Sequence, residues 1–233
     1  MAANVSFDKE RLLSKSFIFE AIDAQAKREL AEFSYIKRFT SGDTIFTVGA
    51  PGQSMMAIAE GTVRVSMLAP KGREITLSDM QVGDVFGEIA LLDGGERSAT
   101  VKALTNCTLI VLERRSLLEV LRRNPDMYIR LIELLCQRVR RSDERMIEVA
   151  FLDLPIRLAR LLLRLTVAHP GSSETPLTKL SQSQSELAGM MGNSRENVNR
   201  CLRKWQKAEL ITLRDGWLII EDRVKLETLA EGD

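Results

Sequence analysis

Between residues 124 and 151 the chain sets Tyr128, Ile132, Leu135, Val139, Ser142, Met146 and Val149 at alternating steps of four and three. That spacing places all seven on one stripe of a single α-helix, the seam pattern by which a helix buries one face against a partner helix. The stripe runs for three heptads with charges beside it, so the expected arrangement is a homodimer. An amphipathic helix packed on its own domain is the alternative. Asn124 is expected to cap the helix and Pro125 suits its first turn, where a missing N–H is harmless. Ser142 interrupts the seam. A small hydroxyl there costs stability unless it finds a polar partner, either a backbone carbonyl or a bound polar ligand. The helix is expected to end near Phe151-Leu152-Asp153, since Pro155 cannot donate to the preceding turn and Asp153 can cap a new helix. Phe151 to Pro155 is therefore the expected domain boundary and hinge.

The two flanks differ in period. Residues 8–34 show helical spacing around Leu12, Leu13, Phe17 and Leu30. From Ile36 to Leu112 short apolar alternations are cut by Gly42, Gly49, Gly61, Gly72, Gly83 and Gly87. Segments such as Thr62–Met67 and Thr108–Leu112 read as strands of an antiparallel sandwich or barrel. Gly42-Asp43-Thr44-Ile45-Phe46 is echoed by Gly83-Asp84-Val85-Phe86, which suggests two similar turns in a rolled sheet. The expected class is α+β: a jelly-roll-like β-roll over residues 1–123, a helix and hinge over 124–153, and a second domain over 154–233.

Several chemistries are excluded early. Cys107, Cys136 and Cys201 are odd in number and widely spaced, with no CxxC, so neither a disulfide framework nor a zinc site is expected and the compartment is a reducing cytoplasm. The charged N-terminus is not a signal peptide. The richest apolar stretch, Leu158 to Val167, is broken by Arg160 and Arg164, so no membrane span is expected. One histidine, His169, and the absence of GxSxG or a P-loop leave little for an enzyme. With 33 Lys and Arg against 32 Asp and Glu, the net charge of +1 argues at first against nucleic acid.

The C-terminal third changes that view. After an apolar helix from Ile156 to about Ala168 and a Pro/Gly/Ser-rich loop from His169 to Pro176, Ser183-Gln184-Ser185-Glu186 has capping-box spacing. It opens a short helix through Leu187, Ala188 and Met191. Gly192-Asn193 supplies a turn and Ser194 caps a second helix, the order of a helix-turn-helix. In that second helix Val198, Leu202 and Trp205 face inward. Arg195, Asn199 and Arg203 form one row and Glu196 and Arg200 the next, a polar stripe able to enter a major groove. Arg can bond guanine in a bidentate pair and Glu can accept from cytosine, while Arg203, Lys204 and Lys207 can reach phosphates. An ordinary solvated helix face is the alternative. Ile211–Leu213 and Trp217–Ile220, joined at Arg214-Asp215-Gly216, read as a hairpin wing. Five basic residues against Glu196 between Ser194 and Lys207 concentrate charge that the whole-chain balance hides.

Within the β region one string gathers an Arg, a Ser, a Glu and close-approach glycines on what reads as a single loop: Phe86-Gly87-Glu88-Ile89-Ala90-Leu91-Leu92, then Glu96-Arg97-Ser98-Ala99-Thr100-Val101-Lys102-Ala103. Arg97 would pair with a phosphate, Ser98 and backbone N–H groups would complete the cradle, and Glu88 would accept from a sugar hydroxyl. Ordinary surface-loop charge is the alternative reading of such residues taken singly.

This string resembles the phosphate-binding cassette of cyclic-nucleotide-binding domains. With the long helix, the FLD hinge and GNSRENVNR, residues 15–221 resemble the Crp/Fnr family of bacterial transcription regulators. The resemblance implies a β-roll nucleotide domain, a dimerisation helix and a winged helix-turn-helix that binds a palindromic DNA site with TGTGA-like half-sites. It implies an effector site of Gly87, Glu88, Ile89, Ala90, Arg97, Ser98 and Ala99. Arg138 would line the pocket and Ser142 would stand where a threonine meets the adenine amine. Ser183, Ser194, Arg195, Glu196, Asn199, Arg200 and Arg203 form the expected DNA-contacting set. His169 to Pro176 falls where relatives touch RNA polymerase. Asp143 departs from the family pattern, since it stands where cyclic-AMP-responding members place a serine that reaches the base from the partner subunit. An ionised carboxylate only accepts, and guanine offers N1–H and N2–H together, so cyclic GMP joins cyclic AMP as an expected effector; pairing of Asp143 with Arg140 or a neighbouring Arg is the alternative. An iron–sulfur centre lacks its N-terminal cysteines and a haem lacks axial ligands in the first domain. Cyclic di-GMP stays open, as does a nucleotide-controlled signalling protein that does not bind DNA.

Overall fold

A computed structural model of the chain describes residues 9–20, 23–69, 72, 74–166, 179–180 and 182–232. Two compact units divide it, one built from the chain to residue 67 with 77–139, the other from 68–76 with 140 onward. The first starts with short helices α1 (Lys9–Leu13), α2 (Phe17–Glu20) and α3 (Ala24–Phe33). Strands β1 (Ser34–Phe39), β2 (Thr44–Phe46), β3 (Ser54–Glu60), β4 (Val63–Leu68), β5 (Glu74–Met80) and β6 (Val85–Phe86) follow. After helix α4 (Glu88–Asp93) come β7 (Thr100–Ala103) and β8 (Cys107–Glu113). They make two four-stranded sheets, ordered β1-β8-β3-β6 and β2-β7-β4-β5, the rolled β architecture that the glycine-cut alternation implied.

The central strands β3 and β8 are apolar without alternation because both their faces are covered. Met55, Ala57, Ile110 and Leu112 point to one side, into a core shared with Leu13, Phe19 and Leu30 of the helical layer. Met56, Ile58, Leu109 and Val111 point to the other, against Ile45, Val63 and Val101 of the second sheet. The strand period of two thus feeds two cores from one sheet. The two Gly-Asp motifs fold alike: Gly42 and Gly83 take φ of 93° and 96°, a region where a side chain is rarely tolerated. Asp43 Oδ2 accepts from Thr40 N at 2.7 Å and Asp84 Oδ2 from Gln81 N at 2.8 Å.

Helix α5 (Arg114–Arg123), which the sequence reading did not separate, leads into α6 (Pro125–Phe151). The expected Asn124 side-chain cap of α6 is not formed. Its amide donates back to Val120 O at 2.9 Å and closes α5 instead, while its carbonyl accepts from Met127 N. Met127, Leu131 and the partly buried Leu134 seat the first turns of α6 in the core. The stripe one position further on remains open, with Ile132 57% and Val139 59% exposed.

The second unit adds α7 (Leu154–Thr166), β9 (Lys179–Leu180), α8 (Gln184–Met191), α9 (Arg195–Lys207), β10 (Ile211–Arg214), β11 (Trp217–Ile220) and α10 (Arg223–Glu231). Helix α7 begins two residues before the expected Ile156, with Pro155 in its first turn, and the residues after Thr166 lie outside those described. Leu158 and Leu162 of α7, Leu187 of α8, Val198 and Leu202 of α9, and Leu226 of α10 share one core. Asp215 and Gly216 both have positive φ, 52° and 80°, the two-residue turn whose twist suits a tight hairpin. Strand β9 pairs with β11 and makes the wing three-stranded. Among the described residues no helix is long and apolar enough to cross a membrane.

Leu109 has no exposure and lies between the two sheets. Leu109→Ala is expected to lower unfolding stability by about 2–5 kcal/mol, measured by urea denaturation. Leu68→Ala, at a 67% exposed strand end, should change it by less than about 0.5 kcal/mol.

Candidate ligand cradle and nucleic-acid interface

Edge strand β6 delivers the chain to Gly87, where φ is 81°. A Cβ at this position would lie 2.5 Å from Arg97 Nη1 and 3.2 Å from Ser54 O, so both conformation and space require glycine. The next residues correct the single-loop expectation. Glu88–Asp93 form helix α4, closed by the left-handed Gly94, whose N–H donates to Ala90 O. Flanking glycines made a six-residue helix look like loop, since it is too short to show a period.

Glu88 opens that helix with no exposure to water. Its Oε1 accepts from Arg138 Nη1, and Arg138 Nη2 donates to Val85 O at 2.6 Å. Arg97 is 5% exposed. Its Nη1 donates to Ser54 O at 2.6 Å and Gly87 O at 3.0 Å, and its Nη2 to Ser54 Oγ at 3.0 Å. The guanidinium carbon sits 4.2 Å from the centroid of the Phe46 ring, a cation–π contact. Burial pulls the Arg97 pKa down while the charges of Glu88 and Glu113 push it up. A guanidinium stays charged in proteins.

Two atoms of this cluster are buried without a hydrogen-bond partner, the acceptor Glu88 Oε2 and the donor Arg97 Nε. An unpaired buried polar atom costs about 1–3 kcal/mol. One acceptor and one donor beside a glycine-only backbone fit a ligand that offers a hydroxyl to the first and an anionic oxygen to the second.

The structure thus brings Gly87, Glu88, Arg97 and Arg138 together. Ser98 is exposed and Ala99 buried. Ile89 is exposed on α4, while Ala90 is buried against Gly52, where any Cβ would overlap it. Ser142 and Asp143 lie on the part of α6 that belongs to the second unit, both exposed. Asp143 carries no ion pair among the described residues, so the alternative pairing with Arg140 is not formed. Sequence reasoning missed Ser54, Phe46 and Val85. Ser54 stands 43 residues from its partner, and a lone serine entering a strand carries no local signal.

The second site rests on three residues of turn. Ser183 Oγ accepts from Glu186 N, and Ser183 N donates to the Glu186 carboxylate at 2.9 Å, the reciprocal capping box. Gly192 is left-handed and ends α8, and Ser194 Oγ accepts from Asn197 N to start α9. Val198, Leu202 and Trp205 are buried as the spacing required, and Cys201 joins them. Burial raises the Cys201 thiol to about 11. Arg195, Glu196, Arg200 and Arg203 are exposed on the opposite face, and Asn199 and Ser194 are half-buried. Ser183 is exposed but spends its hydroxyl on the cap. Between the start of α8, Arg195 and the wing residues Arg214–Trp217 runs a cleft of about 390 Å³. The His169–Pro176 loop lies outside the described residues.

Residues 36–124 match the cyclic nucleotide-binding domain and residues 156–229 the Crp-like helix-turn-helix domain. The cyclic AMP receptor protein of Thermus thermophilus is 34% identical over 201 residues, 85% of this chain and 90% of its own. The CRP-like cAMP-activated global transcriptional regulator of Mycobacterium tuberculosis is 29% identical over 219 residues, 93% and 97% of the two chains. The solved structure of the c-di-GMP-responsive global regulator CLP of Xanthomonas campestris superposes with a TM-score of 0.77 at 24% identity, covering 86% of this chain and 100% of that one. At that identity the likeness concerns the fold.

The Glu196 carboxyl is held below its ordinary pKa, first by its own N–H in the opening turn of α9, then by the Ser194 hydroxyl and the neighbouring Arg195 charge. A lowered folded-state pKa stabilises above the unfolded value and loses that effect as pH falls through the folded one. Ser194→Ala should raise the Glu196 pKa in an NMR titration and cost about 1 kcal/mol of stability through the lost cap.

Proposed function

The chain belongs to the Crp/Fnr family of cyclic-nucleotide-binding, DNA-binding transcription regulators, and on that premise we propose that it is a homodimeric regulator, not an enzyme, with cyclic AMP as effector. The observation that carries this reading is the buried pair of unpartnered atoms, Glu88 Oε2 and Arg97 Nε. A ribose hydroxyl supplies the donor that the first lacks, and the cyclic phosphate supplies the anionic acceptor that the second lacks. The curated relatives, named as cyclic-AMP-activated or cyclic-AMP-receptor proteins, support the same ligand. Cyclic GMP is a second effector on this reading, because the exposed Asp143 has a carboxylate free to accept guanine's paired N–H donors.

The exposed stripe of α6 is the dimer seam, and Ser142 on it meets the base. Helix α6 stops at Phe151 and α7 starts at Leu154. Glu148 bonds Arg164 across that break, Nη1 to Oε1 at 2.8 Å, with Arg160 beside it. On one continuous helix residues 148 and 164 would stand about 24 Å apart, so the pair exists only with the helix broken. Effector binding extends α6 from Phe151 to Asp153 and shifts the population toward that extended form, with the Glu148–Arg164 pair reporting the angle between α6 and α7. The two α9 helices of the dimer then enter successive major grooves about 34 Å apart. Arg195, Glu196 and Arg200 read a TGTGA-like half-site, and RNA polymerase is the further partner.

Titration calorimetry with cyclic AMP, cyclic GMP and cyclic di-GMP, each followed by mobility shift on a palindromic site, tests this. Cyclic AMP binding that raises sequence-specific DNA affinity is expected, and Arg97→Ala should abolish the response while leaving the fold. Response to cyclic di-GMP alone would replace the proposed effector, and DNA affinity indifferent to every nucleotide would sink the mechanism. Arg195→Ala should cost about 1–3 kcal/mol on the specific site. Equal loss on random DNA would contradict base reading.

A further inference from the structure

We propose that Ser54 is a positioning residue for Arg97, clasping one end of the guanidinium so that its Nε side is presented as a two-pronged fork to the phosphodiester of the effector. The inference rests on the reading of the cradle as a cyclic-nucleotide site. A guanidinium is planar and carries five N–H donors. Nη1 spends both of its hydrogens on Ser54 O and Gly87 O, and Nη2 spends one on Ser54 Oγ. Ser54 therefore grips two nitrogens at once, with its main-chain carbonyl and its hydroxyl. What is left over is the buried Nε–H, which has no partner, and the second hydrogen of Nη2.

Two neighbouring N–H groups on one side of a guanidinium point in parallel and match two oxygens of one phosphate, a geometry that a point charge cannot supply. The Phe46 ring below the group fixes the tilt of its plane. Rotation within that plane is restrained at Nη1 by Ser54 O and Gly87 O and at Nη2 by Ser54 Oγ alone, so without the hydroxyl the Nη2 end of the fork loosens. Strand β3 holds Ser54 in place through its pairing with Glu113 on β8, so the fork is anchored to the most buried sheet.

The two exocyclic oxygens of a cyclic phosphate are not equivalent, and sulfur can replace either one, giving the Rp and Sp phosphorothioates of cyclic AMP. An aimed fork distinguishes these diastereomers, and a loose one does so less. Calorimetry on the full chain should give Ser54→Ala about ten-fold weaker cyclic AMP binding, with the Rp/Sp affinity ratio moved toward one and the thermal midpoint little changed. Ser54→Thr, which keeps the hydroxyl, should retain both affinity and ratio. Wild-type affinity and ratio in Ser54→Ala would overturn the inference alone. So would a folded Ser54→Thr that behaves like Ser54→Ala. Failure of the wild-type chain to bind cyclic AMP or either phosphorothioate would overturn the cyclic-nucleotide reading with it.

Discussion

The Glu88 carboxylate has no contact with water, and burying a lone carboxylate costs several kcal/mol unless a counter-charge accompanies it. Arg138 is that counter-charge, and it comes from α6 rather than from the sheet. Because the same guanidinium also holds Val85 O, the electrostatics of one buried acid tie the cradle's strand, its short helix and the long helix into one connected piece. Arg97 answers a parallel demand on the other side, with its charge met by two carbonyls, a hydroxyl and an aromatic face. Neither group is saturated. A ligand that completes both therefore removes a cost that the protein alone leaves standing, and it does so where any shift in Glu88 is felt by α6.

How much of this was legible in the sequence depended on whether each signal was local. The Gly-Asp turns, the Ser183 capping box, the Ser194 cap and the inward row Val198, Leu202 and Trp205 are all set by neighbours within a few residues, and the structure has them as the spacing implied. Helix α5 was hidden because a single residue, Asn124, separates it from α6, and because its apolar positions Leu117, Val120 and Leu121 abut a strand. Helix α10 and strand β9 were missed for another reason. Strand β9 is two residues long, too short to show a period, and the inward residues of α10, Leu226, Leu229 and Ala230, span less than two turns of helix.

The site followed the same division. Residue type and order were enough to nominate Gly87, Glu88 and Arg97, and the family resemblance added Arg138, whereas Ser54 and Phe46, the groups that hold Arg97, required the fold. The exposed stripe of α6 was legible in the spacing, yet the buried stripe of Met127, Leu131 and Leu134 lies only one position away. Both are apolar, and periodicity alone does not say which of two adjacent stripes the core takes.

Strands β3 and β8 are sealed on both faces, which makes them the part of the first unit whose amides open to water only when that unit unfolds as a whole. The cradle hangs from β6, an edge strand joined to β3 at Met56↔Phe86 and Ala57↔Val85, with Ile58 bonding Gly83 and Asp84 just before it. The segment that must admit a ligand thus stands at the edge of the best-protected sheet. Such a unit can breathe at its rim many times for each global unfolding, and the fluctuations that let an effector in need not loosen the floor against which it is held.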